Sequence, residues 1–200
     1  MRHSSPPKTM SSSHPISDDS VAVVTNDDQF IRWSTRADIH QNHLPHRSIH
    51  VMLIDQQQRL IVQQRHAQKA TYPSYWDVAC SGHVEYSDYH KNDLGIVEDP
   101  NAHLEKIYQQ VAHRELAEEL GVDTALTYLA SFMPEADVHY ECFRLYVGRR
   151  NGSFTLQTTE VAQVSAIAYA DWDQWIQEHS CTLTLKMLGH FIRQKQVWHA

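Results

Sequence analysis

Apolar and polar positions alternate along most of this chain in short stretches that predict strands, with a few longer stretches at helical spacing. Residues 48–54, Ser-Ile-His-Val-Met-Leu-Ile, are almost continuously apolar and predict a buried strand. Asp55-Gln-Gln-Gln58 supplies a four-residue turn, and residues 59–65 alternate and return as the partner strand. Upstream, residues 21–25 and 30–33 predict two further strands about the Asn26-Asp27-Asp28 turn, and the polar residues 35–45 predict a connector. Residues 77–81 read as a short strand running into Gly82, and residues 86–100 as polar and irregular. A long helix is expected over residues 102–120, stopped by Gly121. Beyond it, strands are expected near 126–132, 141–148, 153–157 and 162–169. Asp171 is expected to cap a short helix through Glu178, before a last helix over 183–196. Many strands interrupted by few helices, without strict alternation, predict an α/β fold with a mixed sheet covered on both faces.

Composition changes the picture at the N-terminus. Residues 1–20 are rich in Ser, Pro and His and nearly free of apolar side chains, so they cannot repay the entropy of ordering. They are expected to form a disordered tail on one domain spanning 21–200, a division that suits 200 residues. A net charge of −7 argues against a non-specific nucleic-acid binder. No apolar run reaches membrane length and no signal-peptide core is present, so a soluble cytoplasmic protein is the expectation. Cys80, Cys142 and Cys181 are odd in number and widely spaced, which implies neither a disulfide framework nor a zinc knuckle. The 15 histidines are scattered, and most are expected at the surface.

Candidate chemistry concentrates in residues 112–122, Ala-His-Arg-Glu-Leu-Ala-Glu-Glu-Leu-Gly-Val. Glu115, Glu118 and Glu119 are spaced i, i+3, i+4 and share one helix face, while Leu116 and Leu120 point elsewhere. Like charges so placed repel, and a hard cation such as Mg²⁺ or Mn²⁺ would turn that cost into binding energy. A solvated acidic face satisfies the same spacing, so the helix alone does not decide.

The neighbouring residues do. Gly82, five intervening residues and Asp88, followed by Arg114-Glu115-Leu116-x-Glu118-Glu119-x-Gly121-Val122, resemble the Nudix box. The second half is complete. The first half departs from the pattern in two ways: Asp88 stands where a glutamate is usual, and the spacer, usually seven residues, is 25 long (positions 89–113). The departure leaves Glu98 or Glu105 open as substitutes for the first acid. His46-Arg47, Arg65-x-x-x-Lys69, Pro73, Trp76-Asp77 and Ser81-Gly82-His83, together with Arg36, further resemble the isopentenyl-diphosphate isomerase-like branch of the Nudix superfamily.

That resemblance implies a Nudix-type α/β/α sandwich. It also implies a Mg²⁺ (or Mn²⁺) site formed by Glu115, Glu118, Glu119 and the Gly82 carbonyl. Glu118 or Glu119 would be the general base, and Arg114 would orient the glutamates. Arg65 and Lys69 would bind the diphosphate of a small-molecule substrate, with no nucleic acid or membrane partner and a homodimer as an option. The reaction implied is hydrolysis of a nucleoside diphosphate linked to another moiety, or of a related organic diphosphate. Double-bond isomerisation and a catalytically silent binding module are the alternatives. Isomerases of the branch place a cysteine directly before Gly-His; here that residue is Ser81, and Cys80 is displaced to the opposite strand face. Glu141 falls where isomerases place a metal-binding glutamate, and His139 where they place another; an outward-facing polar strand explains the pair equally well. The histidine matching His83 binds metal in isomerases, whereas a hydrolase could use it structurally, and His46 has the same two readings. Tyr72, Tyr75 and Trp76 could stack on a base, line an apolar pocket or serve as core, while Trp172, Trp175 and Trp198 are assigned to helix packing. The inserted residues 89–103 are open to three roles: covering the site, dimer contacts, or a tolerated surface loop.

Overall fold

A computed structural model describes residues 15–90, 98–136 and 138–197. Its centre is β3 (His46–Ile54), all nine of whose residues are buried. Burial on both faces explains the nearly unbroken apolar run. Along one edge β3 pairs in parallel with β8 (Glu141–Arg149), from His46↔Glu141 to Ile54↔Arg149. Its other edge is shared antiparallel by β1 (Val21–Val24), β6 (Cys80–His83) and the start of β4 (Arg59–Arg65). β2 (Phe30–Ser34) pairs with β1, β5 (Trp76–Asp77) and β9 (Val161–Ala168) with β4, and β7 (Leu126–Phe132) with β8. The sheet is therefore mixed, as expected.

Side chains alternate between two apolar layers. Ile49, Val51 and Leu53 of β3 meet Ile107, Tyr108, Val111, Leu116 and Leu120 of α3 (Leu104–Leu120) on one face. Met52 and Ile54 meet Trp172 of α4 (Trp172–Glu178) and Leu185, Leu188 and Ile192 of α5 (Leu183–Gln194) on the other. The result is an α/β/α sandwich. No helix among the described residues is long and apolar enough to cross a membrane.

Several local expectations need correction. Residues 35–45 are not a plain connector: they contain α1 (Arg36–Gln41), which the Thr35 hydroxyl caps by accepting from the Asp38 N–H at 3.1 Å. Ile39 anchors this short helix against Val21 and Val23. Residues 86–90 form α2 (Tyr86–His90) rather than irregular chain, and 91–97 lie outside the described residues. Residues 153–157 are not a strand. Their backbone N–H groups instead satisfy the last carbonyls of α3, Thr155 to Leu120 and Gln157 to Glu119, both at 2.9 Å. Asp171 stands at the N-cap position of α4 but makes no side-chain cap bond, because a single 3₁₀ turn (Tyr169–Asp171) leads into the helix. Of the expected tail, residues 1–14 lie outside the described part. Asp18 and Ser20 are already docked, their carbonyls accepting from the N–H groups of Ser87 and Tyr86. Trp172 and Trp175 pack between helix and sheet as expected, while Trp198 lies outside the described residues.

Candidate active site

The C-terminal half of α3 carries the acidic cluster, and Arg114 organises it. Its guanidinium donates to both carboxylate oxygens of Asp88 (Nε 3.1 Å, Nη2 3.2 Å), to Glu115 at 2.9 Å and to Glu118 at 3.3 Å. A planar fork holding three carboxylates is what arginine, unlike lysine, can provide. Asp88 therefore occupies the first acidic position of the motif despite the long spacer. Glu105 does not: it pairs with Arg144 at 2.8 Å, and Glu98 is exposed.

The three glutamates are not equivalent. Glu118 is exposed, whereas Glu115 and Glu119 are buried, each 8% accessible. Glu115 lies against Gly82 of β6. Glu119 turns to β4, where it accepts from Gln63 Nε2 at 3.0 Å. Burial pushes the Glu115 carboxyl up to about 7; Glu118 and Glu85 add to this and Arg114 opposes it. Burial pushes Glu119 up to about 8, with Glu115 adding and the Gln63 bond opposing. Buried carboxyls that resist ionisation side by side are a donor set suited to a divalent cation, since a positive ion would relieve both the desolvation and the repulsion.

A second set of ligand atoms converges nearby. The parallel register puts His46 opposite Glu141, and their side chains meet with His46 Nε2 3.7 Å from a carboxylate oxygen. His50, two positions along the same strand face, lies 3.0 Å from the other oxygen. Burial would raise the Glu141 pKa, but the adjacent imidazoles of His46 and His50 outweigh it and hold the carboxyl well below the usual range. The ring of His46 shares its Nδ1 with the Leu44 carbonyl at 2.8 Å, so Nδ1 carries the proton and the Nε2 lone pair is free. Nε2 of His46 and Nε2 of His83 are both buried without a hydrogen-bond partner. Ligand atoms of His46, His83 and Glu141 all lie within 4.8 Å of one another. Burial and the neighbouring His46 hold the His83 pKa well below its ordinary value, so the imidazole is neutral and able to ligate. These residues could hold a metal ion, and nitrogen donors favour a borderline transition ion over Mg²⁺. His139 flanks the group, its Nδ1 accepting from the Glu141 backbone N–H at 3.4 Å. His50 escaped the sequence reading; the period-2 spacing of His46, Ser48 and His50 was its only signal.

Both sets border one cleft of about 1290 Å³, into which Gly82, Glu115, His46, His83, Glu141 and Ser81 project. Glu118, exposed beside it, and Glu119, buried against Gln63, are not among the residues lining it. The cations Arg36, Arg65 and Lys69 also line it, each already paired: Arg36 with Glu85, Lys69 with Glu160, and Arg65 with Asp77 at 3.3 Å. Arg65 is further tied to Thr71, Nε to its carbonyl at 3.1 Å and Nη2 to its hydroxyl at 3.2 Å. Cys80 faces away from the cleft into the α3 core. It is fully buried, and burial with the nearby Glu119 pushes its thiol well above the usual range. Trp76 is core, while Tyr72 and Tyr75 are exposed, and of the two Tyr72 lines the cleft.

Comparison with known proteins bears on the family and the fold. The NUDIX domain family matches residues 44–183. Isopentenyl-diphosphate Delta-isomerase 2 of Photorhabdus laumondii is 26% identical over 150 residues, covering 72% of this chain and 75% of the relative. The isopentenyl-diphosphate Delta-isomerase of Serratia proteamaculans is 28% identical over 140 residues, 68% of each. Among solved structures, a Deinococcus radiodurans protein aligns with a TM-score of 0.66 at 18% identity, over 88% of this chain and 98% of its own. The NUDIX domain of Shewanella oneidensis NrtR, solved with ADP ribose, aligns with a TM-score of 0.52 at 17% identity, over 82% and 99% respectively. Those two likenesses establish the shared fold. With its box residues gathered around Arg114 and a family match over most of its length, the chain belongs to the Nudix superfamily.

Proposed function

We propose that this protein is a Mg²⁺-dependent hydrolase of an organic diphosphate, either a nucleoside diphosphate linked to another moiety or a related compound. The observation that carries the reading is the Arg114 cluster: Asp88, Glu115 and Glu118 held on one guanidinium, with Glu115 pressed on Gly82. Glu115, Glu118, Glu119 and the Gly82 carbonyl would hold Mg²⁺ or Mn²⁺, which neutralises phosphoryl charge and acidifies a bound water. Arg114 keeps the glutamates in place and does not touch substrate. Water attacks phosphorus, the bridging P–O bond breaks, and the proton of the attacking water passes to Glu118 or Glu119. Of the two, Glu118 is the more accessible and Glu119 the more enclosed. Lys69 and Arg36, released from Glu160 and Glu85, supply positive charge to the diphosphate, and Arg65 adds its charge to the same wall.

A second reading, double-bond isomerisation, is favoured by the His46–His83–Glu141 group and by the relatives named as isopentenyl-diphosphate isomerases. Against it stands Ser81, a hydroxyl with an ordinary pKa too high for carbon acid–base chemistry, in the place where a thiol would face the cleft. The test is a panel of nucleoside-diphosphate conjugates and isopentenyl diphosphate, incubated with Mg²⁺ and followed by ³¹P and ¹H NMR. Hydrolysis gives new phosphate resonances that vanish in Glu118→Gln or Glu119→Gln. Migration of the double bond without phosphate release would replace the hydrolase by the isomerase.

A further inference from the structure

The sheet has two ends, and the cleft occupies one of them. At the other, where β3 turns into β4 and β8 runs out, lies a separate cavity of about 230 Å³ that shares no lining residue with the cleft. Its floor is apolar: Ile61 of β4, Val164 and Ala166 of β9, and Phe154. Its rim is polar and fixed. The Gln56 N–H donates to Asn151 Oδ1 at 2.8 Å and the Arg150 N–H to the Ile54 carbonyl at 3.1 Å, so the β3–β4 turn and the loop after β8 are tied together. Gly152, in the same loop and on the same rim, has open space where a Cβ would stand.

Two arginines line this cavity, and their charges are not equally spent. Arg59 is neutralised by Asp55. Its Nε donates to one carboxylate oxygen at 2.7 Å, and the other oxygen accepts from the backbone N–H groups of Gln57 and Arg59, both at 2.9 Å. Arg150 has no carboxylate partner among the described residues. Its Nη2 donates to the Ser153 carbonyl at 3.2 Å, and its Nε is buried without a hydrogen-bond partner. A guanidinium N–H that has left water without gaining an acceptor is costly, and an oxyanion beside it removes that cost. The cavity is smaller than the about 300–1,000 Å³ that drug-sized ligands occupy, which excludes a nucleotide. An apolar floor beneath one unspent positive charge fits a small organic anion, an oxyanion head on a short hydrocarbon stem.

Both walls of the cavity lead to Glu119. Two residues along β4 from Ile61, on the same strand face, Gln63 donates to the Glu119 carboxylate at 3.0 Å. Just past Phe154, the N–H groups of Thr155 and Gln157 hold the carbonyls of Leu120 and Glu119.

We propose that this cavity is a second ligand site, for a small organic oxyanion whose head pairs with Arg150 and whose stem lies on the floor, and that its occupancy is transmitted to Glu119. The site stands apart from the cleft and does not depend on which reaction the cleft performs.

Nitrogen-15 NMR of the full chain in metal-free buffer tests it, with butanoate, butyl phosphate, inorganic phosphate and butylammonium as probes. The Arg150 Nε–H and the Gly152 amide are expected to shift together and saturate with butanoate, butyl phosphate or both. The dissociation constant should lie roughly tenfold below that of inorganic phosphate, because the stem buries apolar surface. Butylammonium should leave both signals in place, and the tighter of the two stemmed anions tells a carboxylate ligand from a phosphate one. Arg150→Ala should weaken binding by roughly tenfold. Ala166→Leu, which fills the floor and keeps the charge, should remove the advantage of the stemmed probes. The Gln63 side-chain amide should move with the same dissociation constant. Equal binding of inorganic and butyl phosphate would mean an adventitious ion only and overturns the site, as do shifts confined to His46, His83 and the rest of the cleft, or binding that survives Arg150→Ala. A Gln63 amide that stays still while Arg150 saturates overturns the link to Glu119. Should Arg150→Ala fail to fold, Ala166→Leu and the order of the probes decide.

Discussion

Gly82 and Glu115 compete for the same space. A Cβ placed on Gly82 would stand 2.2 Å from Cδ of Glu115 and 2.4 Å from its Oε1. The strand backbone can approach the helix carboxylate only because there is no side chain between them.

Gly82→Ala should therefore act on the site more than on the fold. Glu115 is flexible enough to swing aside, so the stability loss is expected to stay near ~1 kcal/mol. The displaced carboxylate abandons Arg114 and the proposed ion, and Mn²⁺ affinity should fall by roughly 10–100-fold. Titration calorimetry beside a urea melt separates the two quantities. A variant that binds Mn²⁺ like the native chain would show that Glu115 and the Gly82 carbonyl do not share an ion.

Arg114 and Asp88 form a second such relationship, spanning the long insertion between the two halves of the motif. Asp88 is shielded, and burial raises its pKa even though Arg114 opposes the rise. A double-mutant cycle with Arg114→Met and Asp88→Asn is expected to give a coupling of about 1–3 kcal/mol, since each single change strands a shielded partner. Additive melts would mean that the two halves of the motif are held together elsewhere, for instance by the bonds of Arg47 to Asn101 at 2.9 Å and to the carbonyl of Pro100.

The acidic cluster makes a signed prediction about pH. Glu115 and Glu119 have folded pKa values of about 7 and about 8, above the ordinary 4.5. Between 4.5 and 8 the folded state holds more protons than the unfolded state, so these two groups make stability fall as pH rises through that window. The depressed His40, His83 and His139 act in the opposite sense. The informative quantity is thus the difference between the native chain and Glu115→Gln/Glu119→Gln. In metal-free buffer the variant should gain on the native protein steadily from pH 5 to pH 8. Mn²⁺ should reverse that gain and release protons on binding at pH 7. A pH-independent difference between the two melts would show that neither carboxyl is perturbed.

How much of this was legible in the chain depends on the range of the interaction. The spacing of Glu115, Glu118 and Glu119 is local, and so was readable; the apolar run of β3 and the Gly121 stop were readable for the same reason. The turn of α1 was overlooked because only Ile39 among its six residues is buried, although Thr35-x-x-Asp38 is a capping pattern. Residues 153–157 mimic a strand because Phe154 and Leu156 alternate into the core while the backbone serves the end of α3. The meeting of His46 with Glu141 follows from a parallel register between strands far apart in sequence, which no local spacing encodes. Arg65 is a subtler case. Its motif was visible, but the fold spends three of its N–H bearing nitrogens on Thr71 and Asp77.

The nitrogen-rich group can be distinguished from the acidic one by the ion it takes. His46 and His83 offer unpartnered Nε2 lone pairs beside Glu141. Co²⁺ should bind there and give a visible d–d absorption that is lost in His46→Ala and His83→Ala but kept in Glu118→Gln. Zn²⁺ should displace it, and excess Mg²⁺ should not. If Glu118→Gln removes the band instead, the two groups share one ion at the acidic end.

The last prediction concerns the position where an isomerase would carry its thiol. Cys80, Cys142 and Cys181 are all buried, and burial pushes Cys142 up to about 12 and Cys181 to about 11, with Cys80 also raised. A thiol reagent should therefore find no reactive cysteine in the native protein and three after denaturation. Ser81→Cys adds a thiol one residue along β6, where the strand pleat turns the side chain to the cleft, and should add one fast-reacting equivalent. Cys80→Ser should leave any diphosphate hydrolysis intact, because the side chain lies behind the strand and touches no substrate. It is expected to cost about 1–3 kcal/mol in stability, since a hydroxyl replaces a buried thiol among Val51, Val111 and Leu116. If Cys80→Ser removes turnover while melting like the native chain, the strand presents Cys80 to the cleft, and acid–base chemistry at carbon becomes the better account of the site.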